Sequence, residues 1–492
     1  MAGPIPLNPD DEGDLKRALG PVHLITLGIG AIIGAGIFVL TGHAAAGFAG
    51  PGVVISFVIA GVGCLFAGLC YSEYVSIIPV AGSAYTYTYA TLGRFLGWFV
   101  GWNLVLEYLA ASSTVAVGWS GYFNNFMSNI GFPIPAAFAS APIAGTGFGN
   151  MVATGTYFNL PAVALVALVS LFLIIGVKTS ANFNNVMVAI KLTIVLVVIF
   201  VGFGHMVPAN HAVIIPPNTG TFGQFGWTGV FRASGVIFFA YIGFDAVSVA
   251  AQEAKNPQRD IPIGMLGSLV LCTILYVLMS WVETGIAHYS TLNVPHPVSA
   301  ALEALPATAW LAPYVNIGAI VGLASVVLVL LLGQSRVFYA MARDGMIPAA
   351  FKSIHPRFAT PWKGNIITGI VCGIMAGVLP LDLLGELVSI GTLVAFIVVC
   401  IGVMILRKRA PHVHRTFRTP FVWFTAPAGI GMCLFMIRFL PFDTLIRFVV
   451  WTAIGVVIYF FYSVKHAVPP RHSIKGVEPI SFSIAGRRFE LR

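Results

Sequence analysis

Residues 28–42 read Gly-Ile-Gly-Ala-Ile-Ile-Gly-Ala-Gly-Ile-Phe-Val-Leu-Thr-Gly, with five glycines among fifteen residues of an otherwise apolar run. Inside a soluble helix each glycine costs about 1 kcal/mol relative to alanine, and Gly28, Gly30, Gly34 and Gly36 fall within nine residues. The stretch is not a dinucleotide fingerprint. Its spacing is G-x-G-x-x-x-G, and no strand–helix–strand unit with a following acidic residue surrounds it. Two readings remain. Gly30 and Gly34 form a small-residue face on which another helix packs closely, but Gly36 lies on a different face. Alternatively the helix is broken. Unwinding at Ile32 to Gly36 frees the amides of Gly34, Ala35 and Gly36 at the start of the outer half, and carbonyls at the end of the inner half. A carboxylate suits the first set and an ammonium the second, and the missing Cβ atoms let a ligand come close. Such backbone is tolerated at membrane depth only where it lines a cavity.

The surroundings are those of a membrane. The chain has 492 residues, 58% of them hydrophobic and 9% charged, with a mean hydropathy of +0.91. Apolar runs of about 20 residues, the length a helix needs to cross hydrocarbon about 30 Å thick, recur throughout. The expected fold is an all-α polytopic membrane protein, since the alternating strands of an outer-membrane barrel are absent. About twelve spans are expected, near 21–47, 52–78, 94–129, 159–177, 181–206, 227–252, 261–287, 308–342, 363–380, 384–407, 418–438 and 442–464. The third and eighth are long enough to extend beyond the bilayer. All six cysteines lie in apolar segments, so neither a disulfide nor a metal site is expected. Residues 1–20 mix acidic and basic groups without the features of a cleaved signal, and read as a cytosolic tail.

The basic residues set the orientation, because cytoplasmic loops keep them. With the N-terminus inside, the outer side carries only Arg232, Arg438 and Arg447, and Lys191 alone falls within a span. The loops at 130–158, 207–226 and 288–307 contain no Lys or Arg. The net charge of +9 therefore faces anionic lipid headgroups on the cytoplasmic side, including the basic tail 465–492, and calls for no nucleic acid.

A broken first helix predicts a matching interruption in a second repeat. Five spans on, residues 238–248 read FFAYIGFDAVS, placing Gly243 and Asp245 in the middle of an apolar run. An acid there costs about 2.5–3.5 kcal/mol on insertion scales, so it faces protein or water. Asp245 reads equally as a helix cap or a functional group. A five-helix unit has an odd number of crossings, so its second copy is inverted. The expected core is 21–407, with repeats 21–206 and 227–407, followed by the two appended spans in 408–464.

Together with GIGAIIGAGIFVLTG, three stretches complete a pattern: PVAGSAYTYTYATLG (79–93), FFAYIGFDAVSVAAQEAKNPQRDIPIG (238–264) and GQSRVFYAMARDGMIP (333–348). The pattern resembles the amino acid-polyamine-organocation transporters, most closely bacterial homologues of the cationic amino acid transporter branch, over about residues 20–465. The resemblance implies a LeuT-like five-plus-five inverted-repeat fold in the cell membrane, amino acid substrates and alternating access, often proton-coupled. It also implies substrate carboxylate binding at the amides of Ala35 and Gly36, and ammonium binding at the carbonyls of Ile32, Phe239, Ala240 and Ile242. Close relatives often carry Thr or Ser where this chain has Ala35.

Lys191, in MVAIKLTIVLVV, lies too deep in span 5 to snorkel comfortably. Desolvation disfavours its ammonium form, which suits proton exchange. Related proton-coupled transporters carry a lysine on this helix where sodium-coupled relatives bind a cation. Lys191 is accordingly expected to be the proton-coupling group. Glu107 on span 3 faces Asn103 one turn earlier, and is read evenly as a structural or a pocket-tuning group. Glu73 and Glu283, nearer span ends, are expected to be solvated. Tyr276 on span 7 is a candidate hydrogen-bonding group near the pocket. Val329 and Leu330 on span 8 are candidate side-chain contacts that favour small neutral substrates, whereas the branch name points to cationic ones. An enzyme would need a nucleophile, base or ligand constellation, and the eleven histidines are scattered. A channel would require no paired breaks. No cofactor is expected. The chain reads as a proton-coupled amino acid permease, with a proton-independent amino acid or polyamine exchanger of the same fold as the alternative.

Overall fold

The computed structural model describes residues 19–78, 83–145, 147–176, 181–248, 254–358, 360–468, 481–484 and 487–490. Parts of the motifs at 79–93 and 238–264, Lys178, nearly all of the expected N-terminal tail and more than half of the expected C-terminal tail lie outside the described residues. Helices occupy each of the twelve apolar windows. Among the described residues nine helices are long and apolar enough to cross a bilayer: Gly36–Ile77, Arg94–Asn129, Asn185–Phe203, Gly226–Ser248, Pro257–Ile286, Ala312–Arg343, Leu381–Arg409, Val422–Phe439 and Phe442–His466. Three shorter apolar helices, Pro21–Ile32, Leu160–Ile175 and Trp362–Val378, fill the remaining windows. The protein is an all-α, multi-pass membrane protein. Its outward faces carry Phe200, Ile370, Ile374 and Phe461, all well exposed, as expected for side chains bathed in lipid rather than water.

Span 3 (Arg94–Asn129) is the hub, packing along span 8 (Ala312–Arg343) and span 10 (Leu381–Arg409). Span 2 (Val53–Ile77) and the inner half of span 1 both lie against span 7 (Pro257–Ile286). Lipid tails supply no hydrophobic drive between helices, so close approach through small residues does the work. A Cβ at Gly333 would fall 2.9 Å from the Tyr108 ring, and one at Gly322 would fall 2.7 Å from the Lys191 stem. Span 12 is tied to span 3 by aromatic stacking. Trp102 lies 4.4 Å from Trp451, centroid to centroid, and their indole nitrogens donate to each other's carbonyls at 2.8 and 3.3 Å.

The loops hold more structure than their composition suggests. A helix, Ser83–Leu92, separates spans 2 and 3, and two short helices, Pro297–Glu303 and Pro306–Ala309, precede span 8. An antiparallel pair of strands, Ile143–Ala144 and Val152–Ala153, sits in the long loop after span 3. In the basic tail, Ser481–Ile484 pairs antiparallel with Arg487–Glu490.

Two acidic residues read as solvated are buried instead. Glu73 is fully enclosed because the segment after span 10 folds back over it. Arg407 grips it through Nε at 2.6 Å and Nη2 at 2.8 Å, Arg415 donates at 2.9 Å, and the Thr419 amide adds 2.8 Å. Arg415 also donates to the carbonyls of Ala410 and Val413, closing the end of span 10. Glu283 is 2% exposed. It lies where Thr41–Ala44 packs on span 7 and beside Pro297 of the outer short helix. Proximity to a span end did not predict solvation because loop elements cover both ends.

Candidate functional site

The GIGAIIGAGIF segment breaks. The inner half of span 1, Pro21–Ile32, ends with Ile33 in an extended conformation (φ −70°, ψ 96°). The outer half resumes as two π-helical turns, Gly36–Leu40 and Ala45–Ala49, around the α-turn Thr41–Ala44. Among the described residues the amides of Gly34, Ala35 and Gly36 donate to no backbone carbonyl, while the Gly34 carbonyl accepts from both Ile37 and Phe38 at 3.3 Å. These amides head the outer half, where the helix dipole is positive.

Span 6 breaks at the second glycine. Its helix Gly226–Ile237 tightens into a 3-10 turn, Phe238–Tyr241; Ile242 is then extended, and Gly243 takes φ 110°. That left-handed value favours glycine because a Cβ would clash with the local backbone. The two breaks also touch. A Cβ at Gly36 would lie 2.5 Å from the Ala240 Cβ and 2.6 Å from its Cα, and one at Gly243 would lie 2.9 Å from the Ala31 carbonyl group. Both glycines are thus required by the crossing, and Gly243 by its own backbone conformation as well.

Two side chains hold the broken ends. The Tyr276 hydroxyl lies 2.8 Å from the Ile32 carbonyl and 2.6 Å from the Ala240 carbonyl, bridging both breaks from span 7. Lys191 Nζ reaches across from span 5 (Ala181–Phe203) and donates to the carbonyls of Gly30 at 2.7 Å and Ile33 at 3.1 Å. Lys191 is 1% exposed and sits at the negative end of the inner half-helix. Of the carbonyls expected to hold an ammonium, Phe239 already accepts the Ile242 amide at 3.0 Å.

The remaining candidates divide. Glu107 and Asp245 are both buried and lie in each other's electrostatic field, with the Tyr108 hydroxyl donating to Asp245 at 3.3 Å. Glu107 is not paired to Asn103, whose amide donates to the Phe99 carbonyl at 2.8 Å. On span 8, Leu330 is buried and Val329 half-buried, and Val326 lies at the break, its methyls 3.3 Å from a Cβ position on Gly34. Sequence reasoning missed Val326 because span 8 is apolar around most of its circumference, so no periodicity fixes which face meets span 1. It also passed over Tyr108, which gave no signal apart from its neighbour Glu107.

The arrangement offers donors for a carboxylate, acceptors for an ammonium, an apolar wall that includes Ala240 and Val326, and an amine lodged beneath the break. Residues 19–473 match the amino acid permease family. The chain is 46% identical to the branched-chain amino acid permease BcaP of Bacillus subtilis (strain 168) over 457 residues, covering 93% of this chain and 95% of that one. It is 44% identical to the methylthioribose transporter of the same organism over 454 residues, 92% and 95% of the two chains. It is 37% identical to cationic amino acid transporter 4, vacuolar, of Arabidopsis thaliana over 402 residues, covering 82% of this chain and 65% of that one.

Proposed function

We propose a transport function for this chain, which belongs to the amino acid permease family and is a transporter rather than an enzyme. It takes up amino acids by alternating access, using a five-plus-five inverted repeat plus two appended spans, in the cell membrane with both termini cytoplasmic. The observation that carries the reading is the juxtaposition of free amides at Gly34–Gly36 with carbonyls held by Tyr276 and Lys191. The substrate carboxylate binds the amides, and its ammonium takes the Ile32 and Ala240 carbonyls from the Tyr276 hydroxyl. The apolar wall, which bears no charged side chain, favours a small neutral or branched side chain over a cationic one. BcaP is named for branched-chain substrates, which supports that preference.

The coupling follows from electrostatics. As an ammonium, Lys191 complements the negative end of the inner half-helix and pins it through Gly30 and Ile33. When the proton leaves, the inner half is less tightly held and can swing away, opening the site to the cytoplasm. Uptake into proteoliposomes tests this. A neutral amino acid should accumulate under an inward proton gradient, and Lys191→Ala should abolish gradient-driven uptake while leaving a correctly inserted protein. The alternative, proton-independent exchange, would appear as counterflow indifferent to the gradient in both proteins.

A further inference from the structure

Glu283 lies outside the substrate and coupling site just described. It sits on span 7, about six turns from Pro262 in the same helix, and is buried with neither carboxyl oxygen accepting a hydrogen bond among the described residues and with the Thr41 hydroxyl beside it. A Cβ at Gly42, on the outer half of span 1, would lie 3.0 Å from its Oε1. The adjacent hydroxyl, Thr41, spends its one hydrogen on the Ile37 carbonyl at 3.0 Å, so it presents only lone pairs to the carboxyl.

None of the charged and titratable groups on the elements packed around it forms an ion pair with it, among the described residues. His43, next along the outer half of span 1, sits 3.5 Å from Asp382 and 3.1 Å from the Val294 carbonyl. His211 contacts the Thr284 hydroxyl at 3.1 Å and stacks on Trp281. Tyr122 of span 3 donates to the Phe38 carbonyl. His296 and Glu303 belong to the short outer helix and its cap, and His296 lies in the field of the Glu303 carboxylate, with its own Nδ1 making no hydrogen bond among the described residues. Arg232 of span 6 lies over the Phe48 ring. No cation among the described residues pairs with Glu283.

An unpaired carboxylate cannot be held at such a position without a large desolvation cost, whereas a neutral carboxylic acid can donate to the lone pair of Thr41. We propose that Glu283 is a proton-binding site on the outer side of the pathway, filled from outside whenever the outer half of span 1 closes onto span 7. The inference rests on the transport reading and its orientation. When the outer half swings away, water reaches the carboxyl and the proton is released to the outer solution. Outer closure is therefore linked to uptake of one proton at this site, separately from the exchange at Lys191.

The test is amino acid counterflow by the full chain in proteoliposomes, with inner pH fixed, outer pH varied across neutrality, and choline replacing sodium. Wild-type exchange should fall on the alkaline side by roughly tenfold per pH unit, the signature of one required proton. Glu283→Gln, a permanent mimic of the neutral acid, should raise the alkaline rate to the acid value and flatten the profile. Thr41→Val, which removes the acceptor, should move the half-maximal outer pH to a more acid value. A wild-type profile already flat, a Gln variant that keeps the wild-type profile, or a Gln variant that binds substrate without exchanging it would each overturn the proposal. So would a rate restored by sodium rather than by acid. If the Gln variant does not fold, the Thr41→Val midpoint decides, and an unchanged midpoint refutes the site. Absence of exchange by the wild type with any amino acid would instead defeat the transport reading itself.

Discussion

At Tyr276 a single hydroxyl lies between the carbonyls of Ile32 and Ala240, at 2.8 and 2.6 Å. Its one hydrogen is shared between them, so removing it leaves the carbonyls short of a donor but frees them for a substrate ammonium. Tyr276→Phe is expected to destabilise the empty protein by about 1–3 kcal/mol, the cost of leaving a buried acceptor unsatisfied, as read by thermal unfolding without substrate, and to show a larger substrate-induced stabilisation than wild type. A smaller substrate-induced shift would mean that the hydroxyl contacts the ligand directly. Glu73 offers a sharper test of stability. It pairs with both Arg407 and Arg415, and Arg415 is buried, so Glu73→Ala strands a guanidinium; such a loss costs about 3–5 kcal/mol. Detergent-solubilised protein should unfold at a clearly lower temperature, whereas an unchanged melting point would show the cluster to be dispensable.

The two broken helices are the elements on which the site depends, and both were legible as glycines set in apolar runs. Gly34, Gly36 and Gly243 stand out because a continuous span gains nothing from them. Their five-span separation suggested that the breaks meet, and the Gly36–Ala240 contact brings them together. The side chains around the breaks were less legible. Tyr276 is one of fifteen tyrosines, and only the rotation of span 7 selects its hydroxyl. Val326 meets Gly34 because of the packing phase of span 8, which an almost uniformly apolar helix does not encode. The burial of Glu73 and Glu283 comes from connecting segments whose paths a span count does not describe. At this scale Gly36→Val should eliminate transport, since its branched side chain must displace the Ala240 backbone, while the protein still inserts. Gly243→Ala should lose at least tenfold in rate, combining a residue strained at φ 110° with a 2.9 Å approach to Ala31; strain of that kind costs about 1–3 kcal/mol. Near-normal uptake by either variant would mean that the breaks need not touch.

For the whole molecule, the proposed orientation rests on the asymmetry of Lys and Arg, with both termini and the basic loops inside and the long loops without Lys or Arg outside. The six native cysteines are buried, so introduced cysteines report cleanly. Phe148→Cys, at an exposed position in the loop after span 3, should react with an impermeant maleimide applied to intact cells, whereas Ile354→Cys, exposed in the loop after span 8, should react only after lysis. The reverse pattern would invert the orientation and place Lys191 under the other face of the site. The central claim is that a proton carried by Lys191 drives amino acid uptake through the paired breaks. Its most direct test is accumulation of a labelled branched-chain amino acid in proteoliposomes under an imposed inward pH gradient, comparing wild type with Lys191→Ala. Accumulation above equilibrium in the wild type, abolished in the variant while both bind substrate, is the predicted result. Gradient-driven accumulation that persists without Lys191 would contradict it.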